Sequence, residues 1–347
     1  MRVAIVTDAW LPQVNGVVTT LSTTAKTLEE MDHEVRVVNP GDFRTFPCPT
    51  YPEIRLSWRP YAKVRDTLQD FQPDHIHIAT EGPLGMAARR HCRRNKLRFT
   101  TSYHTQFPQY VRARVPIPLA VSYAFLGWFH GAATHVMVAT RHQQQDLEEH
   151  GFANNIVRWT RGVDTHVFQP RKQALLDAPR PIWLYSGRVA VEKSIQDFLA
   201  LDLPGTKYVV GDGPARAELQ QQFPNARFTG YKFGEELAAH MASADVFVFP
   251  SRTDTFGIVM LEAMACGVPV AALPVTGPID VVQDGVTGVL RDDLRVAALE
   301  ALELDGAACR EFATERSWLN ATRQFFGNLV PVNGEFESHL SAATIEK

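Results

Sequence analysis

Asp245-Val-Phe-Val-Phe-Pro-Ser-Arg-Thr-Asp-Thr-Phe-Gly-Ile-Val-Met-Leu-Glu-Ala-Met-Ala-Cys-Gly-Val-Pro-Val-Ala-Ala272 decides the fold. Val246 to Phe249 is a short continuous apolar run, as expected of a strand buried on both faces. Gly257 to Cys266 reads as a helix stopped by Gly267, and Val268 to Ala272 as the next strand. Strand, loop, helix and strand in this order form one unit of an open parallel sheet. In such sheets ligands bind beyond the carboxyl ends of the strands, which is where Ser251 to Phe256 falls. The start of the helix offers unpaired N–H groups to a phosphate. Glu262 lies four residues after Ile258 on the same helical face, and its carboxylate can accept two hydroxyl hydrogen bonds from a ribose. The competing structural use is an Arg partner for Glu262 and a helix-capping role for Asp254.

Outward from this stretch, strands alternate with helices along the chain, which predicts doubly wound parallel sheets. The first series comprises strands at Val3 to Thr7, Glu34 to Val38, His75 to Ala79, Phe99 to His104 and Val136 to Ala139. Its helices are expected at Val17 to Met31, Pro83 to Asn95, Leu119 to Gly131 and Gln143 to His150. The second series places strands at Ile182 to Ser186, Lys207 to Val210, Arg227 to Phe228, Val246 to Phe249 and Val268 to Ala272. Thr165 to Lys172, followed by Pro179 and Pro181, reads as the join. The expected division is a domain over 1–168, a second over 169–330 whose last helix crosses back to the first, and a polar tail over 331–347.

With 347 residues the chain is long for one core and suits two. A net charge of −3 argues against a general nucleic-acid binder, although the first 170 residues carry +4 and the remainder −7. Cys48, Cys92, Cys266 and Cys309 are far apart, without metal-ligand spacing, and are expected to be buried thiols in a reducing, cytoplasmic setting. No apolar span reaches membrane length.

Each strand end carries candidate site residues. Trp10-Leu-Pro-Gln-Val-Asn-Gly16 joins strand to helix, and Gly16 lets a ligand approach the backbone, although the loop is not the dinucleotide fingerprint. His104 ends another strand and is one of 12 histidines; its position sets it apart. Tyr185-Ser-Gly-Arg-Val-Ala-Val-Glu-Lys193 delivers Arg188 and Lys193 beside Gly187, two cations able to stabilise a departing diphosphate without a metal. Val209-Val-Gly-Asp-Gly-Pro214, with Gly211 and Gly213, borders a nucleotide or forms a plain turn. Gly230-Tyr-Lys-Phe-Gly-Glu-Glu236 puts Tyr231 and Lys232 where a base ring could lie, or serves only as a connection.

Taken together, Gly187-Arg188-x4-Lys193, Gly211 to Pro214, Ser251 and Asp254-x7-Glu262 resemble the retaining glycosyltransferases of family 4. The similarity runs from Thr7-Asp8 and Asn15-Gly16 to Asp284-Gly-Val-Thr-Gly288. The resemblance implies the GT-B fold: two doubly wound Rossmann-like α/β domains facing across a cleft. It also implies a ribose contact for Glu262, phosphate contacts for Arg188 and Lys193, and donor contacts for Thr255, Phe256, Gly257 and Ile258. Gly16 and His104 would close on the donor from the acceptor side. His104, Arg188, Lys193 and Asp254 are the expected catalytic group, with no metal and no cofactor besides the nucleotide-sugar co-substrate. The family's motif usually begins with Glu. Asp254 is one methylene shorter, as in a subset using mannosyl, glucosyl, glucuronosyl or sulfoquinovosyl donors.

The activity so implied is retaining transfer of a hexosyl group from a nucleotide-sugar, uridine diphosphate preferred and GDP-mannose second, to a hydroxyl acceptor. Several members of the subset glycosylate diacylglycerol at the inner membrane face. Here Arg89, Arg90, Arg93, Arg94, Lys96 and Arg98 cluster on and after one helix, and Arg112 and Arg114 adjoin the apolar Val115-Pro-Ile-Pro-Leu119. These basic residues are expected to hold the protein reversibly on an anionic surface, against the alternative of a solvated basic face. Rival readings are a sugar-nucleotide epimerase, a phosphorylase on the same fold, and a noncatalytic nucleotide-sugar-binding protein.

Overall fold

A computed structural model describes residues 1–13, 15–48, 51–104, 118–152, 155–171 and 175–333, with only the backbone described at 51–53. In the first half the elements are β1 (Arg2–Val6), α1 (Gly16–Glu30), β2 (Glu34–Val38), β3 (Thr45–Cys48), β4 (Tyr51–Ser57), α2 (Tyr61–Phe71) and β5 (His75–Ile78). They continue through α3 (Pro83–Asn95), β6 (Thr100–Tyr103), α4 (Leu119–His130), β7 (His135–Val138), α5 (Arg141–Glu149) and β8 (Asn155–Arg158).

The second half contains β9 (Ile182–Ser186), α6 (Ile195–Leu199), β10 (Thr206–Val210), α7 (Arg216–Gln222), β11 (Arg227–Gly230), α8 (Gly234–Met241) and β12 (Val246–Phe249). It closes with α9 (Ile258–Ala265), β13 (Val270–Ala272), α10 (Pro278–Val281), β14 (Gly288–Leu290), α11 (Leu294–Ala301), α12 (Gly306–Thr314) and α13 (Trp318–Asn328).

Two six-stranded sheets result, ordered β2-β1-β5-β6-β7-β8 and β11-β10-β9-β12-β13-β14, and every strand pair in them is parallel. Parallel strands are covered by helices on both faces, and the central strands here are accordingly buried apolar runs. Val3 to Val6 and Val246 to Phe249 are each almost wholly out of solvent. Strand order reverses between β1 and β5 in one sheet and between β9 and β12 in the other. Those reversals open the crevices that hold ligands in such sheets. The strands anticipated from the apolar runs are present. Beyond them the fold adds α2, β8, β14 and an antiparallel β3–β4 hairpin.

The chain returns at its end. Phe325 of α13 lies in one core with Val3, Ile5, Leu21, Leu28 and Trp159 of the first half. Thr160 N–H donates to Gln324 Oε1 at 2.8 Å, and Asn328 Nδ2 donates to Arg158 O at 2.8 Å. Pro331 forms a bridge with His75, so the expected tail from 331 begins with residues tied to β5; 334–347 lie outside the described residues. Arg310 on α12 clasps the join: Nη1 donates to Phe168 O (2.7 Å) and Ala265 O (2.8 Å), and Nη2 to Thr165 O (2.9 Å). One guanidinium thereby satisfies the end of α9 and holds the segment leading out of the first half.

Two expectations about surface residues need correction. Arg89 is not a membrane-facing cation: it is 5% exposed, and it donates through Nε to Phe129 O (2.9 Å) and through Nη2 to Trp128 O (2.6 Å). It closes the C-terminal carbonyls of α4, where a helix end favours a cation. Cys92, Cys266 and Cys309 are buried thiols as expected, whereas Cys48 on β3 is only half-buried. Arg90, Arg93, Arg94 and Lys96 are exposed, and Arg90 and Arg94 stack on Tyr61, 4.7 and 5.6 Å from its ring centre. Arg112 and Arg114 lie outside the described residues. Among the described residues no helix is long and apolar enough to cross a membrane.

Candidate active site

The donor-side loops leave β9, β10 and β12 at their carboxyl ends. After β9, Tyr185 O–H donates to Arg188 O at 2.9 Å and shapes the loop that carries Arg188 and Lys193. Glycine is required where this loop meets the next: a Cβ on Gly211 (φ +150°) would sit 1.8 Å from Gly187 O. No side chain fits there, so the two backbones touch and the loops after β9 and β10 form one floor. Gly213 likewise leaves room for Val189 O. The Arg188 guanidinium lies 3.9 Å from Glu192 Oε1.

Lys193 crosses to the loop after β12, where Nζ is 2.5 Å from Asp254 Oδ1. Asp254 Oδ2 is buried without a hydrogen-bond partner among the described residues. Asp254 does not cap α9. The cap is Gly257, held at φ +80°, which has no side chain to bond the first N–H groups of the helix. A Cβ at Gly257 would come within 2.7 Å of Met260 Cε and 3.0 Å of Phe249 Cζ, so a bare helix entrance is built into the sequence here.

Glu262 is embedded in this helix among buried Leu261, Ala263 and Met264. Among the described residues its Oε2 is buried with no hydrogen-bond partner, so the competing Arg pairing of that oxygen is not made there. Burial pushes the carboxyl up to about 7. A buried acceptor left unsatisfied is costly, and a ligand hydroxyl is the natural group to satisfy it. Ser251 Oγ is likewise buried without a partner among the described residues.

Among the described residues the first half meets this surface at these points. Thr255 Oγ1 donates to His104 O at 2.8 Å. His142 Nδ1 lies 3.0 Å from Asp280 Oδ2. Asn15 caps α1 through Val17 N and Val18 N, and a Cβ at Gly16 would sit 3.9 Å from Ile258 Cδ1. Gly16, His104, Thr255 and Ile258 therefore share one interface, with Phe256 buried beside them. His104 Nδ1 is 3.2 Å from Arg161 Nη2, its ring packs edge-on against Trp159, and its Nε2 is buried without a partner among the described residues.

Gly230 bridges Gly211, so the loop after β11 runs beside this floor; on it Tyr231 is exposed and stacks with Phe233 (5.9 Å between ring centres), while the Lys232 ammonium bonds to Glu236 one helical turn on. Sequence reading missed Arg161, which has no local pattern to mark it, because its role depends on β6 and the segment after β8 coming together. It also gave Asp8 no role beyond its place in the motif. Asp8 accepts hydrogen bonds from Leu84 N (2.9 Å), Gly85 N (3.3 Å) and Thr80 Oγ1 (3.0 Å), and burial raises it to about 6.

Comparison with known proteins agrees with this geometry. A family profile described as Glycosyltransferase Family 4 matches residues 14–167, and one described as Glycosyl transferases group 1 matches 180–303. A GDP-mannose-dependent alpha-mannosyltransferase of Corynebacterium glutamicum is 32% identical over 318 residues, covering 84% of this chain and 77% of its own. An alpha-monoglucosyldiacylglycerol synthase of Streptococcus pneumoniae is 26% identical over 87% of this chain and 78% of its own. In fold, the chain resembles the sucrose-phosphate synthase of Thermosynechococcus elongatus, with a TM-score of 0.75 at 21% identity over 94% of this chain and 97% of that one. With both sheets, the facing loops and matches on either half in agreement, the chain belongs to glycosyltransferase family 4, as a GT-B hexosyltransferase acting on nucleotide sugars.

Proposed function

We propose that the chain transfers a hexosyl group with retention of configuration from a nucleoside diphosphate sugar to a hydroxyl acceptor, without a metal. The observation that carries this is the convergence, on one interface, of a cation pair, an uncapped helix entrance and two carboxylates with unsatisfied buried oxygens. Glu262 takes the ribose hydroxyls, and Arg188, Lys193 and the N–H groups after Gly257 take the diphosphate. Asp254 and His104 border the sugar. In the transfer, the bond from C1 to the phosphate oxygen breaks while the acceptor oxygen bonds to C1 from the same face. The acceptor's proton passes to the leaving phosphate oxygen. Fixed cations and N–H dipoles in a site closed by the two domains stabilise the departing charge without reorganising.

Likeness to the Corynebacterium enzyme favours GDP-mannose over the uridine donor expected from sequence. A screen of GDP- and UDP-hexoses against hydroxyl acceptors, with and without chelator, tests the reading. Turnover that needs an acceptor, survives chelation and keeps the anomeric configuration is expected. Donor conversion with no acceptor would instead indicate an epimerase, a requirement for inorganic phosphate a phosphorylase, and binding without turnover a noncatalytic sensor.

A lipid acceptor is supported by the Streptococcus relative's name and by the exposed Arg90, Arg93, Arg94 and Lys96 on and just after α3. Near an anionic surface each such cation contributes about 1 kcal/mol. Binding to vesicles rich in anionic lipid is expected to exceed binding to neutral vesicles. It should fall when Arg90, Arg93 and Arg94 are replaced together by Gln, and equal co-sedimentation with both vesicle types would count against a membrane-bound acceptor.

A further inference from the structure

Arg161 has no place in the chemistry described so far, yet it is buried at the end of the cleft's acceptor side. Its guanidinium is held from below: Nη1 donates to Trp159 O and, at 3.1 Å, to Thr160 O, and the plane stacks 4.4 Å from the centre of the Trp159 ring. Its remaining reach, through Nη2, is to His104 Nδ1 at 3.2 Å. A guanidinium has only donors, so the nitrogen facing it must present a lone pair. If Nδ1 accepts, a neutral imidazole carries its proton on Nε2. That Nε2 is the atom found buried with no partner among the described residues, while the backbone oxygen of the same residue bonds across to Thr255 in the donor domain.

We propose that Arg161 is a positioning residue that holds His104 as the neutral Nε2–H tautomer, so that His104 presents a hydrogen-bond donor at the domain boundary. The assignment of its acceptor, an oxygen of the transferred sugar, rests on the donor-site reading above. His104 on this account accepts no proton during transfer. Burial first, then Arg161 from the segment after β8, hold His104 well below the ordinary histidine range, and among the described residues His77 on β5 and His130 on α4 act in the same direction. His77 is itself kept down to about 3 by burial and by Arg161, and its two nitrogens are bound to Thr100 Oγ1 (2.9 Å) and Ser102 Oγ (2.8 Å). Burial lowers Arg161 to about 9, which leaves it charged at neutral pH.

The test is nitrogen NMR on the full chain labelled at histidine, with the His104 signals assigned by a His104→Gln variant. Wild-type His104 is expected as the Nε2–H tautomer, unchanged from pH 6 to 8. In Arg161→Met the tautomers should mix and His104 should begin to titrate, with kcat down about tenfold and a new acidic limb in the pH–rate profile, since a misplaced catalytic proton is felt in turnover. Arg161→Lys keeps a donor and should restore the tautomer. An Nδ1–H or doubly protonated His104 in the wild type would overturn the proposal, and so would an unaltered tautomer in Arg161→Met. Because the wild-type tautomer decides without any variant, poor folding of Arg161→Met does not shield the idea. Addition of GDP-mannose or a UDP-hexose should shift the Nε2 resonance. An unshifted resonance with the expected tautomer would remove the sugar-site reading and leave the Arg161 assignment standing.

Discussion

Lys193→Ala is expected to lower kcat by about 10²- to 10³-fold, the size seen when one preorganised group facing a developing charge is lost. The ammonium now sits 2.5 Å from Asp254 Oδ1, with both side chains about one-fifth exposed. In the ligand-free protein the carboxylate therefore holds the cation in position before any diphosphate arrives. Removing the lysine has two effects on a departing diphosphate. It withdraws a positive charge, and it leaves Asp254 as an uncompensated negative one nearby. The second effect makes the double variant informative. Lys193→Ala with Asp254→Asn should lose less than the product of the two single losses, because neighbouring residues that act as a unit are not additive. Steady-state turnover with the verified donor is the measurement, with circular dichroism to show that the fold is retained. A kcat within threefold of wild type would take Lys193 out of the mechanism.

Glu262→Gln is expected to stabilise the ligand-free protein at pH 8 while weakening nucleoside diphosphate binding about 100-fold. The stability arm follows from burial of an acid. In the unfolded chain the carboxyl ionises near 4.5, and in the folded protein near 7. Between those values the folded state binds more protons than the unfolded one, so stability falls as pH rises. The contribution is fully present below pH 4.5, is lost progressively up to about 7, and stays lost above it, by about 3 kcal/mol. Gln carries no ionisable group and escapes that loss, so the gap in Tm between variant and wild type should open from pH 5 to pH 8. Parallel curves would mean that Glu262 is ionised at no cost and satisfied by the protein itself. The binding arm follows from the same oxygen: two ribose hydroxyls donating to a charged acceptor contribute more than to a neutral amide. Wild-type affinity should also rise from pH 6 to 8 as the carboxylate forms, with proton release on binding at pH 6.5 measurable by calorimetry in two buffers. Unchanged affinity in Glu262→Gln would exclude the ribose role.

Asp254, Glu262 and His104 each carry a buried polar atom without a partner among the described residues, and the protein tolerates the cost. Buried atoms without a partner also occur elsewhere among the described residues; what sets these apart is that they lie at the carboxyl ends of the strands, beside the Lys193 cation and the entrance of α9.

The parallel strands and their order of appearance could be read from local pattern. Val3 to Val6, Ile182 to Tyr185 and Val246 to Phe249 are continuous apolar runs because sheets covered on both faces leave no polar side, and that requirement acts on consecutive residues. The same holds for the glycines at strand ends, whose need for space is a property of the backbone next to them. Elements that violate the pattern escaped. The β3–β4 strands contain Pro47 and Pro52, which read as strand breakers and are tolerated at a two-stranded edge. β8 begins and ends on exposed polar residues, Asn155 and Arg158, and β14 begins on Gly288, so neither presents a continuous apolar run. Charge was misread at Arg89, since a cluster of arginines on one helix looks alike whether a member faces water or the carbonyl end of α4. Which side it takes depends on α4 lying against α3, forty residues away. The union of Lys193 with Asp254, of Thr255 with His104 and of His104 with Arg161 likewise spans 57 to 151 positions along the chain. Periodicity records what a residue's neighbours in sequence demand. Which donor meets which acceptor, and which atoms are left unpaired for a substrate, emerges when the sheets and connecting segments are brought together in space.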